Sequence, residues 1–166
     1  MTLSDRIRRA FAGRQKPAEV IDLTDRIDSD VEEALWFAGR DWRDITWKSW
    51  QEHPGAIIFF SKDAFAYYLP SVLLLSLQDS TETLDAAESV LRSLDRSPST
   101  EGWNDLFVEH FLGLRSEEYD VMKEWLLELC EYPAYRQYGS AASGPGDTFG
   151  RAYETVALLQ QESGKQ

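Results

Sequence analysis

Ser61-Lys62-Asp63-Ala64-Phe65-Ala66-Tyr67-Tyr68-Leu69-Pro70-Ser71-Val72-Leu73-Leu74-Leu75-Ser76-Leu77 is the stretch on which the fold turns. From Phe65 to Leu77 the side chains are apolar at nearly every position, with no polar face for a helix to turn to water. A helix of that kind is covered on several sides, so it predicts a central helix wrapped by others. Ser61 supplies a hydroxyl to cap a helix beginning near Lys62. Pro70 removes a backbone donor and restricts Leu69, which predicts a kink there or a new helix starting at the proline. The apolar run from Ala64 to Leu77 is about 14 residues, broken by Pro70, Ser71 and Ser76, and a membrane span needs about 20. The expectation is therefore a core helix, no membrane span, and a cytoplasmic protein.

Upstream, Ala56-Ile57-Ile58-Phe59-Phe60 follows the turn His53-Pro54-Gly55 and is β-branched and aromatic. It reads as a short strand, with residues 20–22 (Val20-Ile21) as its partner; a buried extended link is the alternative. Ser29 and Glu32 have capping-box spacing ahead of Ile27, Val31, Ala34, Leu35 and Ala38, which repeat at helical intervals, and Gly39 marks the stop. Trp42, Trp47 and Trp50 lie on a short helical segment before the turn, and at least one of Trp47 and Trp50 is expected against Phe59 or Phe60.

Downstream, Leu84, Ala87, Leu91 and Leu94 form one helical stripe, with Glu88 and Arg92 spaced as an i,i+4 pair. Trp103, Leu106, Phe107, Phe111 and Leu112 predict a short helix. Ser116 reads as the cap of a longer one reaching about Tyr132, with Val121, Met122, Trp125, Leu126 and Leu129 facing the core. A loop over 139–147, rich in Gly and Ser, precedes a last helix on Phe149, Ala152, Tyr153, Val156 and Leu159, with Asp147 as its cap. The fold class is mainly α: a single compact multi-helix domain over 1–166, with at most a minor two-stranded element near residues 20–22 and 56–60.

The chain has 166 residues, 43% of them hydrophobic, enough to build one core and to exclude global disorder. Its 17 basic side chains face 29 acidic ones, a net charge of −12, which argues against direct nucleic acid binding. The imbalance is uneven. Residues 1–16 carry Arg6, Arg8, Arg9, Arg14 and Lys16 against Asp5 alone, while the rest hold 12 basic and 28 acidic side chains. Such a basic amphipathic helix can dock on an anionic membrane or on the acidic body of its own chain. Three apolar anchors, Leu3, Ile7 and Phe11, favour self-docking, and the arginines between them leave no signal-peptide run. One cysteine, Cys130, forms no internal disulfide.

Chemistry-bearing patterns are sparse. His53 and His110 lie apart, with no Cys or His near enough for zinc spacing, so no metal is expected. His53 reads as a solvent-facing turn residue and His110 as a hydrogen-bonded structural one. Gly144-Pro145-Gly146 lacks the lysine and spacing of a phosphate loop, and Asp28-Ser29-Asp30 is too short for a calcium loop. Cys130, beside Glu128 and Glu131, has the wrong surroundings for an activated thiolate. No catalytic residue and no cofactor is assigned. The sharpest feature is an acidic stripe: Glu117, Asp120, Glu124, Glu128 and Glu131 recur at helical spacing on one side, opposed by Lys123. A solvated face explains such a stripe; the functional reading is a docking surface for a basic protein partner, possibly a toxin, steered by complementary charge.

The stretch from Ile57 to Pro70, above all Tyr67-Tyr68-Leu69-Pro70, resembles a motif of a bacterial family known only as a domain of unknown function. Asp41-Trp42 after a glycine, and Ser116-x-Glu118 opening a helix with Trp125-Leu126, agree with it over most of residues 3–132. The resemblance implies bacterial origin and a shared fold, with no catalytic residues to carry over. The chain is also loosely similar to immunity proteins that neutralise toxins. The leading expectation is a non-enzymatic, acidic protein-binding domain of immunity or inhibitor type. A secretion chaperone or adaptor acting as a dimer is the alternative, and an uncharacterised enzyme gathering His110, Glu109 or Tyr67 in a pocket is the third.

Overall fold

The computed structural model describes residues 1–22, 29–140 and 146–166, the side chains of residues 29 and 30 excepted. Among these the regular structure is helical: Leu3–Phe11 (α1), Ser29–Leu35 (α2), Trp47–Glu52 (α3), Ala56–Phe59 (α4), Lys62–Ser76 (α5), Asp85–Leu94 (α6), Asp105–Phe111 (α7), Ser116–Leu129 (α8) and Thr148–Ser163 (α9). Short 3-10 turns at Trp42–Asp44, Thr100–Gly102 and Pro133–Tyr138 connect them.

The apolar run becomes the central helix. Every side chain of α5 from Ala64 to Ser76 is buried, and α1, α4, α6, α7, α8 and the Trp42–Asp44 turn all pack on it. Ser61 caps it, accepting from the Ala64 N–H at 3.2 Å. The helix continues through Pro70, so no second helix starts there. Two serines of its C-terminal half make polar contacts within the core. Ser71 donates to the Tyr68 carbonyl (2.7 Å) and accepts from the Trp50 indole N–H (3.1 Å). Ser76 does the same between the Leu73 carbonyl (2.9 Å) and Trp125 (2.8 Å). Each hydroxyl thereby satisfies a buried indole that helix packing alone would leave without an acceptor.

The expected strand is corrected. Residues 56–59 form a single helical turn, with Ala56 and Ile57 buried and Ile58 exposed. A run this short carries no period that separates strand from helix, and tertiary anchoring decided. The Glu33 carboxylate of α2 accepts the Gly55 N–H at 2.7 Å, at the N-terminus of the turn. The partner segment does arrive beside it, but through two bonds rather than a ladder. The Ser61 N–H donates to the Val20 carbonyl (2.8 Å), and the Ser61 hydroxyl to that of Glu19 (3.1 Å).

Gly39 has φ of +77°, the left-handed conformation expected of the residue ending the α2 segment. The expected capping of that helix by Ser29 and its contact at Ile27 lie outside the described residues, as do residues 141–145 of the 139–147 loop. Trp50 is buried, with its ring centroid 6.3 Å from that of Phe60, while Trp47 is half-buried. Two caps differ from expectation. Ser116 is the first residue of α8 rather than its cap; the cap position is Arg115, whose N–H donates to the Glu118 carboxylate at 2.8 Å. Asp147 occupies the cap position of α9, but its carboxylate accepts the Ser140 N–H (3.2 Å) instead of a helix donor. α9 is tied to the end of α6 by the Arg151–Asp95 ion pair and by the Thr148 hydroxyl on Asp95 (3.0 Å).

Candidate functional site

α8 is positioned by its inner face. Tyr119, Val121, Met122, Trp125, Leu126 and Leu129 are buried, and α1 and α9 flank the helix. The opposite face carries Glu117, Asp120, Glu124 and Glu128; Glu131, expected on the same helix, lies in the turn past its end at Leu129, because the helix closes at Cys130 short of the expected Tyr132, and the structure treats the five carboxylates differently. Glu117 and Glu131 are exposed. Asp120 is exposed but engaged: the Gln160 amide donates to it at 3.0 Å and Lys123 lies 3.3 Å away. The hydrogen bond from Gln160, then the bond and charge of Lys123, hold its carboxyl below the usual aspartate range. Glu124 is half-buried and ion-paired with Arg6 of α1. Glu128 is exposed and accepts the Tyr132 hydroxyl at 3.3 Å.

The stripe is therefore divided at Glu124 by the first helix. Around this division lies Leu127, 47% exposed. On α8 it neighbours Lys123 at i−4 and Glu124 at i−3 and is followed by Glu128, so an apolar side chain stands among charged ones.

One further acid of α8 lies outside the stripe. Glu118 is fully buried, and its two oxygens accept from Arg14 Nε (2.7 Å) and Nη2 (2.5 Å). The bond to Glu118 outweighs burial and raises the Arg14 pKa. With Arg6 on Glu124 and Arg14 on Glu118, two of the basic side chains of residues 1–16 are spent on α8. The basic first helix thus lies on the acidic body of its own chain. The signal in the sequence was the charge segregation itself; which two acids receive the arginines depended on how α1 packs.

The remaining polar candidates do not converge. His110 is buried, its Nε2–H donates to the Phe60 carbonyl (2.8 Å), and its ring stacks on Phe65 with centroids 4.4 Å apart. Burial pushes its pKa down against the opposing bond to Phe60. Glu109, next in the chain, points to a separate cleft with Asp22, where burial and then the charge of Asp22 raise its pKa. Tyr67 is buried against the Trp42 region. His53, expected to face solvent, is instead half-buried: at the C-terminal end of α3 its ring stacks on Trp36, with centroids 4.6 Å apart. The Cys130 thiol is half-buried and donates to the Leu127 carbonyl at 3.2 Å. Among the described residues no group of three or more His, Cys, Asp and Glu side chains could hold a metal ion, and no helix is long and apolar enough to cross a membrane. The aromatic cluster is largely core: Phe37, Trp42 and Trp50 are buried, and Trp36 and Trp47 half-buried.

Compared with known proteins, residues 1–135 match the model of a family described as a family of unknown function, DUF6714. No curated protein and no solved structure matches the chain.

Proposed function

The chain belongs to this family of unknown function, so its role has to be argued from its own residues, and we propose that it is a protein-binding domain of inhibitor or immunity type. The observation that carries this reading is the outer face of α8. Glu128 is exposed beside the exposed Leu127 on a helix whose inner face is locked into the core, and Glu131 is exposed in the turn just past its end. An apolar anchor rimmed by fixed carboxylates suits a basic partner: charge steers the encounter, and the desolvated leucine contributes the contact area. Glu117 and Asp120 extend the same face beyond the Arg6–Glu124 pair.

The test is capture from the source organism's lysate, at low and high salt, with the wild type beside a Glu117→Lys, Glu128→Lys, Glu131→Lys variant. Those three side chains are exposed and none is ion-paired among the described residues, so the fold should survive. A basic protein bound in fixed stoichiometry, lost in salt and lost by the variant, supports the reading. Retention of the same partner by the variant would overturn it, as would recovery of none.

A further inference from the structure

A second surface is built by α4 and α7. Ile58 of α4 and Leu106 of α7 are 44% and 47% exposed, and they lie together, since both line the same two clefts. They form a ridge with a cleft on either side. Ile21 and Phe59, both half-buried, widen the apolar surface at one of the clefts. Exposed apolar side chains that adjoin in this way mark an interaction site, whereas single ones need no explanation. None of the lining residues belongs to α8, so this surface is separate from the acidic face and does not depend on it.

The two clefts carry opposite charge. On one side Asp22 and Glu109 supply the only polar side chains of the lining. Burial and then the charge of Asp22 raise the Glu109 pKa, with Lys62 acting against them, and neither acid makes an ion pair among the described residues. Two acids held together in this way leave room for a cation. On the other side the charged group is Arg96. Its Nε and Nη1 donate to the carbonyls of Ser93 (2.8 Å) and Gly102 (3.2 Å), and its Cζ lies 3.9 Å from the Phe107 ring centroid, so the guanidinium is held in place. No carboxylate pairs with it among the described residues, and its Nη2 donors remain for an acceptor from outside. The cleft beside it encloses only about 80 Å³, well under the roughly 300–1,000 Å³ of small-molecule sites, and suits a side chain from a neighbouring protein.

A face with a cation at one edge, acids at the other and an apolar ridge between them is complementary to itself. Turned about a twofold axis through the ridge, a second copy lays its Ile58 and Leu106 on the first and brings its Arg96 to the acids, twice over by symmetry. A basic partner would match the acids but meet Arg96 with like charge, and an acidic partner the reverse. We propose that this face binds a second copy of the chain, in a twofold dimer in which Arg96 of each protomer pairs with Asp22 and Glu109 of the other across an apolar centre of Ile58 and Leu106.

The experiment is sedimentation equilibrium of the full chain over about a hundredfold range of concentration, at low and high salt. The wild type should show a reversible monomer–dimer equilibrium that weakens in salt. Arg96→Glu sets acid against acid at both symmetric contacts, and Glu109→Arg sets cation against cation. Each alone should weaken self-association by about tenfold or more, whereas the two variants mixed restore both pairings and should form a one-to-one dimer. Arg96→Glu also gives up the bonds to Ser93 and Gly102, so Ile58→Ser with Leu106→Ser, at two exposed positions, is an independent variant that should likewise be monomeric. The Glu117→Lys, Glu128→Lys, Glu131→Lys variant should dimerise as the wild type does, which keeps this surface distinct from the α8 reading. A monomer at every concentration, a dimer that survives Ile58→Ser with Leu106→Ser, a dimer lost in the α8 variant, or failure of the mixed, folded charge variants to pair would overturn the proposal.

Discussion

Arg14 and Glu118, 104 positions apart, form a two-pronged ion pair in which the carboxylate is wholly buried and also accepts the Arg115 N–H. It joins the chain just after α1 to the first turn of α8. Removing one partner strands a buried charge, whose cost exceeds anything the intact pair contributes over an apolar substitute. Arg14→Met should therefore destabilise the fold by about 3–5 kcal/mol, read as a lower urea midpoint. The double variant Arg14→Met, Glu118→Leu should recover much of that loss, and its failure to do so would show that α1 needs the charge itself.

The anchoring of α1 separates its apolar from its ionic contributions. Phe11 is fully buried, whereas Arg6 and Glu124 are each about two-fifths exposed. Phe11→Ala should cost about 3–5 kcal/mol through the cavity it leaves. Arg6→Gln should cost no more than about 1 kcal/mol, less in salt, as a solvent-screened pair. Equal effects would contradict this division.

The Ser76 hydroxyl is the acceptor for Trp125, and both residues are fully buried. Ser76→Ala keeps the shape of α5 but leaves the indole N–H without a partner. We expect a loss of about 1–3 kcal/mol in chemical unfolding.

Asp95 gives an acid-side signature. The hydrogen bond from Arg151 holds its carboxyl below the usual aspartate range, with help from Thr148 and against burial. A carboxyl depressed in the folded state adds stability above its unfolded value of about 3.9, and that stability is lost as pH falls through the folded value. Asp95→Asn should be less stable at neutral pH by about 1 kcal/mol, since the pair is partly exposed. It should also lose less stability than the wild type on acidification, as measured by thermal unfolding across pH.

His110 acts at higher pH. Burial depresses its pKa, so below about 6.5 the unfolded chain takes up a proton that the folded chain resists. Its contribution to stability declines as pH falls through that value. His110→Gln, which retains a donor for the Phe60 carbonyl, should flatten the stability profile between about pH 7.5 and pH 5.5. An unchanged slope would show that the imidazole is protonated in the folded state.

Much of the architecture was legible because it rests on local patterns. The apolar run of α5, the stripes of α6 and α8 and the positive φ of Gly39 follow from helical period and steric preference. The Ala56–Phe59 turn was not legible: four apolar residues fit either period, and the Glu33–Gly55 bond that anchors them joins residues 22 apart. The candidate face was half legible. Spacing alone predicts Glu117, Asp120, Glu124, Glu128 and Glu131 on one side of a helix, but α8 stops at Leu129 and leaves Glu131 beyond it, and spacing says nothing of neighbours. That Arg6 takes Glu124, and that Leu127 stands exposed among the acids that remain, depend on where α1 lands.

The sequence by itself determined the helical class, the central place of the Lys62–Ser76 helix and the segregation of basic from acidic residues, because each is written in contiguous residue types. Only the tertiary structure decided which charges cancel, which indoles find hydroxyls and which, like that of Trp42, find none among the described residues. Those outcomes are contacts between residues tens of positions apart, and they are fixed by the packing of helices whose individual patterns leave their partners open.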